Sequence, residues 1–313
     1  MGPAALILIG LGLLAIGGDL IVRGAVAIAR RLGVSELMIG LTLLGFGTST
    51  PELLTSLNAA MRGSAAVAVG NVVGSNISNI LLILGLAALV RPIPVARKGL
   101  GRDAAVLIAA SAGLGALWVW RQPLGLVVSG ALLAALAGYI LLVWVQERTP
   151  QAAEAAVAMP GKRPLALPVA LLLAGVGLGA LLVGADLLVS GAVVLARAAG
   201  VSETVIGLTV VAVGTSLPEL VASISAAAQG RPAVAFGNVV GSNIYNILGI
   251  VGVTALAHPI GFPEDLGWLD WGAFLGSAVL LCLQAAWRGK ITRVEGLAFL
   301  LLYIGYVAAR LYR

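Results

Sequence analysis

Residues 33–93 align with residues 200–260 at a constant offset of 167, without a gap and with 38 of 61 positions identical. GVSELMIGLTLLGFGTSTPELLTS faces GVSETVIGLTVVAVGTSLPELVAS, and VAVGNVVGSNISNIL faces VAFGNVVGSNIYNIL. Asp19 and Asp186 keep the same offset, so the duplication reaches back into the segment before the motif. Two copies of so long a unit do not make a solenoid, whose many repeats are about 20–45 residues each. The chain must fold as two related halves.

Both halves are too apolar for water. Hydrophobic residues make up 60% of the chain and charged residues 10%, against about a quarter charged in a soluble domain. The charges fall between apolar stretches of about 20 residues or more, the length a helix needs to cross the hydrocarbon of a bilayer. The 42 glycines suit membrane helices, where small residues permit close approach. The expected fold class is an all-α polytopic membrane protein with ten transmembrane helices, at residues 3–30, 36–61, 65–90, 103–120, 123–146, 165–198, 203–229, 232–257, 269–287 and 294–312. Residues 1–147 form one five-helix half, 148–164 a linker, and 165–313 the other half. Five is odd, so the second half enters the membrane from the opposite side. Such inverted repeats build a site near the midplane from interrupted helices.

The basic residues set the orientation. Loops after the odd-numbered helices hold 13 of the 19 Lys and Arg residues and the opposite face 5. The positive-inside rule then makes the linker cytoplasmic and leaves both termini outside. This also accounts for the net charge of +6 without a nucleic-acid partner. The first apolar segment has no basic residue before Arg23 and reads as a retained helix rather than a cleaved signal. One cysteine, Cys282, excludes an internal disulfide, and one histidine, His258, leaves no His/Cys metal cluster. Both read as structural.

Glu52 and Glu219 are the only acidic residues deep inside the repeated helices, each in a GTSxPE string. A charge at the bilayer centre costs roughly 2.5–3.5 kcal/mol on insertion scales, and neither has a Lys or Arg in its helical stretch. A transported cation is the expected compensation; the alternative is a protonated or hydrogen-bonded carboxyl used for packing. Thr48, Ser49 and Glu52 can share one helix face, and Thr215, Ser216 and Glu219 repeat them. Hydroxyl and carboxylate oxygens suit calcium and sodium. Pro51 and Pro218 lack an amide hydrogen, which is expected to leave the Gly47 and Gly214 carbonyls unpaired, with a simple kink as the alternative. Asn71, Ser75 and Asn79 recur every four residues, as do Asn238, Ser242 and Asn246. Such a stripe is either an ion-facing surface or interhelical glue, the second reading being stronger for Asn71 and Asn238.

These paired strings resemble the alpha repeats of the calcium/cation antiporter superfamily, specifically prokaryotic sodium/calcium exchangers. The resemblance implies that Glu52 and Glu219 bind calcium and sodium directly. It gives them Thr48, Ser49, Ser75 and Asn79 as partners from one half and Thr215, Ser216, Ser242 and Asn246 from the other. The backbone oxygens of Gly45 and Ala212 complete the set. It also implies that helices 1 and 6 slide against the other eight to alternate access. Some relatives carry Asp where this chain has Asn79 or Asn246, so two carboxylates remain at the centre here. The 148–164 linker is too short for a calcium-sensing regulatory domain.

The expected function is therefore exchange of calcium for sodium, in a prokaryotic cell membrane, by a chain acting as a monomer with inorganic cations and membrane lipid as its only partners. A proton/calcium exchanger is the first alternative. A passive cation channel is the alternative of another class, disfavoured because strong multidentate binding slows conduction. An enzyme is not expected, nor a cofactor, because an intramembrane metalloenzyme would need His or Cys ligands and a reactive water. Ser35-Glu36 and Ser202-Glu203 read as helix N-caps. Asp19 either pairs with Arg23 or, with Asp186, lines an ion path. Glu264, Asp265 and Asp270 are expected to be solvated in the loop between helices 8 and 9.

Overall fold

The computed structural model describes residues 2–97, 99–147, 165–200, 212–263 and 266–311. The linker 148–164, the Ser202-Glu203 cap, the start of the seventh expected helix, and Glu264 and Asp265 lie outside the described residues. Helix α1 (Pro3–Leu32) is followed by two limbs of one bent span, α2 (Glu36–Thr48) and α3 (Thr50–Met61), at 44° to each other. Then come α4 (Val67–Val90), α5 (Leu100–Val119), α6 (Leu126–Glu147) and α7 (Leu167–Ala198). The second half continues with α8 (Ala212–Thr215), α9 (Leu217–Ala228), α10 (Pro232–Ala257), α11 (Trp268–Arg288) and α12 (Arg293–Leu311). Among the described residues, seven helices are long and apolar enough to cross a membrane, or eight if the bent pair counts as one span. Leu8, Ile16, Leu126, Val127, Leu141 and Leu172 are all more than half exposed on the outside of the bundle. A surface this apolar suits lipid rather than water.

Helices α1 and α7 occupy equivalent places in the two halves and lie against each other along their lengths. Gly10, Gly17 and Gly24 on α1 repeat every seven residues, as do Gly177, Gly184 and Gly191 on α7. A β-carbon at Gly10 would sit 2.7 Å from the Gly184 carbonyl, one at Gly24 2.5 Å from the Ala174 amide, and one at Gly191 2.7 Å from the Pro3 carbonyl. Low numbers on α1 meet high numbers on α7, so the two run antiparallel with backbones in contact, as small residues permit.

Contacts that reach beyond the aligned segment repeat the offset as well. Ile93 pairs with Ile291 in a two-stranded antiparallel ribbon, β1 (Ile93–Pro94) with β2 (Lys290–Ile291). Their equivalents 167 residues on and back, Ile260 and Leu124, form an isolated bridge. These four residues of strand are a small departure from the all-α expectation. Asp103 on α5 accepts a hydrogen bond from Tyr139 at 3.1 Å and pairs with Arg102 at 2.7 Å. Its equivalent, Asp270, accepts from Tyr306 at 2.9 Å and lies 3.2 Å from Arg310. Asp270 thus corrects the expectation of a solvated loop acid: it is 1% exposed and also accepts from the Gly267 amide at the start of α11. A carboxylate survives burial only when charged or hydrogen-bonding partners replace water, and here three groups do so.

Ser35 caps α2 as expected, accepting from the Met38 amide at 3.1 Å. Glu36 beside it pairs with Arg231 at 2.7 Å, joining the start of α2 to the start of α10; the equivalent of Arg231 in the first half is Ser64. Asp19 pairs with Arg23 at 2.9 Å.

The glycine contacts predict a contrast in stability. Gly177→Val places its β-carbon 2.4 Å from the Ile21 amide, whereas Gly12 has nothing within 4 Å. Overpacking costs about 1–3 kcal/mol, so Gly177→Val should lower the melting temperature in detergent while Gly12→Val leaves it near the parent. Equal melting points would show that the helix pair is not held at backbone contact.

Candidate ion-binding site

Glycine also brings the central helices together. A β-carbon at Gly241 of α10 would lie 2.2 Å from the Leu41 carbonyl, and one at Gly45 of α2 would lie 2.8 Å from the Ser242 amide. With the backbones this close, Ser242 Oγ donates to the Gly45 carbonyl at 3.1 Å. The bent span breaks at Ser49, at φ −81° and ψ 12°, and α3 restarts with Pro51 in its first turn. The second copy breaks the same way at Ser216, at φ −90° and ψ 7°, before Pro218. Each break sets a glutamate, Glu52 or Glu219, in the first turn of a new helix, where unpaired amides and the helix dipole favour negative charge.

The two carboxylates are each 1% exposed and are bonded across the halves. Ser49 Oγ donates to Glu219 Oε1 at 2.8 Å, and Ser216 Oγ donates to Glu52 Oε1 at 3.1 Å. Thr48 is buried, donates to the Leu44 carbonyl at 2.9 Å and lies 3.4 Å from Asn238 Oδ1. Asn71 Nδ2 donates to the Glu52 carbonyl and to Ser56 Oγ, at 3.1 and 2.9 Å. Asn238 Nδ2 does the same for the Glu219 carbonyl and Ser223 Oγ, at 3.3 and 2.9 Å. These two asparagines tie the start of each glutamate helix to α4 or α10, as interhelical glue would. Thr215 and Ala212 lie in α8, directly before the second break, and Ser75 is buried on α4.

The expected fate of the Gly47 carbonyl is corrected. It accepts from Thr50 Oγ1 at 2.7 Å, so a side chain replaces the amide that Pro51 removes. Leu217 holds the equivalent place in the other half and has no hydroxyl.

Asn79 and Asn246 each open a π-helical turn, Asn79–Leu84 and Asn246–Ile250; a third spans Gly40–Leu44. Such turns widen a helix locally and cluster at functional sites. Asn79 Nδ2 donates to Asn243 Oδ1, and Asn246 Nδ2 donates to Asn76 Oδ1, both at 3.4 Å. Sequence reasoning passed over Asn76 and Asn243, although both stand in the repeated GSNIxN string, three residues before Asn79 and Asn246 and therefore on the same helix face. Six polar atoms of this group are buried with no partner: the acceptors Glu52 Oε2, Glu219 Oε2, Asn79 Oδ1 and Asn246 Oδ1, and the donors Asn76 Nδ2 and Asn243 Nδ2. Buried polar atoms are nearly always satisfied, and the four acceptors, two of them on carboxylates, have the chemistry to take an electropositive group. Among the described residues, no Lys or Arg bonds to either glutamate.

An apolar helical bundle enclosing two carboxylates among hydroxyl and amide oxygens suits a membrane protein that handles hard cations. The chain matches the sodium/calcium exchanger protein family over residues 2–145 and 169–312, and it belongs to that family. A relative from Alkalimonas amylolytica named "Putative antiporter CaxA" is 38% identical over 96% of both chains. The sodium/calcium exchanger MaX1 of Methanosarcina acetivorans is 31% identical over 98% of both. A solved structure of the sodium-calcium exchanger NCX_Mj, soaked with sodium and strontium, superposes with a TM-score of 0.84 at 34% identity, covering 98% of each chain.

The bonds to Asn71 and Asn238 separate support from ion contact. Either alanine variant strips a buried carbonyl and hydroxyl of a donor, about 1–3 kcal/mol. Asn238 is 0% exposed and Asn71 only half-buried, so Asn238→Ala should lower the melting temperature more. An equal or larger drop for Asn71→Ala would show that burial does not set the cost.

Proposed function

We propose that this chain exchanges calcium for sodium by alternating access at a site shared by the two halves. The observation that carries this reading is the pair of buried glutamates with cross-bonded serines and four unpartnered acceptor oxygens. Glu52 and Glu219 hold the ion. Thr48, Ser49, Ser75 and Asn79 assist from one half, Thr215, Ser216, Ser242 and Asn246 from the other, with the carbonyls of Gly45 and Ala212. The resemblance of the motifs and the names of the relatives support both ions. Ten spans in two inverted halves, 1–147 and 165–313, joined by a cytoplasmic 148–164 linker with both termini outside, place the site at mid-membrane. The antiparallel α1–α7 pair supports the inversion, and these two helices would slide against the remainder.

Charge decides how voltage enters. Two ionised carboxylates and neutral amides give the empty site a charge of about −2; one calcium neutralises it and lowers the cost of crossing a low-dielectric centre. Three sodium ions, the number the resemblance suggests, would leave about +1. The sodium-loaded step then carries charge, worth roughly 2.3 kcal/mol per 100 mV.

In proteoliposomes, an outward sodium gradient should drive calcium uptake, and an inside-positive potential should accelerate it. Uptake driven as well by a proton gradient, without sodium and indifferent to voltage, would favour a proton/calcium exchanger. Calcium flux without any counter-ion would favour a channel. Glu52→Gln and Glu219→Gln should each nearly abolish the sodium-driven flux in correctly inserted protein; a variant near the parental rate would sink the shared site. A cysteine placed in the linker of a Cys282→Ser chain should resist an impermeant thiol reagent in intact cells, and ready labelling would overturn the orientation.

A further inference from the structure

The two ends of an amide are the same size but opposite in character, one accepting and one donating. An asparagine beside a cation helps only if its oxygen faces the ion, and nothing in its shape enforces that. We infer that Asn76 and Asn243 are positioning residues that fix which end of Asn246 and Asn79 faces the ion, an inference that rests on the cation-site reading above.

The geometry gives each asparagine one partner from the other half. Asn246 Nδ2 is held by Asn76 Oδ1 and Asn79 Nδ2 by Asn243 Oδ1, each at 3.4 Å. The four residues occupy two antiparallel helices, with 76 against 246 and 79 against 243. Engaging each Nδ2 leaves the Oδ1 of Asn246 and Asn79 without a protein partner, alongside Glu52 Oε2 and Glu219 Oε2. All four asparagines are at most 2% exposed, so no water shell competes for the choice. Asn76 and Asn243 leave their own Nδ2 groups buried and unpartnered. The Oδ1 of Asn76 and of Asn243 is engaged by the amide of its partner asparagine. They act through Asn246 and Asn79.

A carboxylate needs no such guide, because both its ends are oxygen. This separates orientation from packing. Calcium binding to the purified protein is measured at equilibrium for Asn76→Ala, alone and combined with Asn246→Asp, with melting temperature as the check on folding. Asn76→Ala should raise the calcium dissociation constant about tenfold, the size of one hydrogen bond. In the Asn246→Asp background the same change should alter it by less than about twofold, a coupling read by double-mutant cycle. Combined with Asn79→Asp, which pairs with the other residue, Asn76→Ala should keep its full effect. Asn243→Ala, relieved by Asn79→Asp and not by Asn246→Asp, repeats the test from the other half should one variant fail to fold. An equal loss in both backgrounds, or none in the parent, overturns the positioning role while leaving the exchanger reading intact. A parent chain that binds no calcium overturns both.

Discussion

Two carboxylates held out of water, with no basic partner among the described residues, are the constraint around which this bundle is organised. Each would be costly to bury alone, and each is met by a serine from the opposite half and by the amide-rich start of its own helix. That arrangement needs a broken helix, because the amides of a continuous one are already used. Beside it, glycines at 45 and 241 let α2 and α10 touch by their backbones, so that the Ser242 hydroxyl reaches the Gly45 carbonyl. The arrangement also needs Asn71 and Asn238 to anchor the restarted helices. The lone pairs left over on Glu52 and Glu219 are what the proposed cation would satisfy.

The fold and the glutamates were legible in the sequence for one reason: a gapless repeat shows both copies of every important residue at once. A carboxylate recurring in an apolar stretch cannot be an accident of one helix. The cross-bonded serines could be named as oxygen donors, but their partners could not, since that depends on how the two helix breaks at Ser49 and Ser216 face each other. Asn76 and Asn243 were missed because the four-residue stripe drew attention to 71, 75 and 79 and away from the neighbour three residues before 79. The π-turns leave no mark in composition, because they are a choice of hydrogen-bond offset. Asp270 looked like a loop residue beside Glu264 and Asp265; its burial is decided by Tyr306 and Arg310, on a helix about forty residues later.

The duplication also persists where the letters no longer align well. Asp103 with Tyr139 and Asp270 with Tyr306 fasten α5 to α6 and α11 to α12, and Ile93 with Ile291 matches Ile260 with Leu124. The arginines that complete the two aspartate clusters come from different places, Arg102 from the same helix and Arg310 from the partner helix. The contact is repeated, while the charge that balances it has been solved twice. These clusters brace the outer helices at a distance from the glutamates.

Two identical halves, inverted, would make the two membrane faces mirror each other in energy: opening to one side would cost what opening to the other costs. Any preference has to come from positions where the copies disagree. Arg231 ties Glu36 across the start of α2 and α10, and the first half carries Ser64 where the second carries Arg231. Thr50 secures the Gly47 carbonyl, and Leu217 cannot do so for Gly214. Under the exchange proposed above, a resting bias toward one compartment would have to come from mismatches such as these, because the motif is the same in both halves.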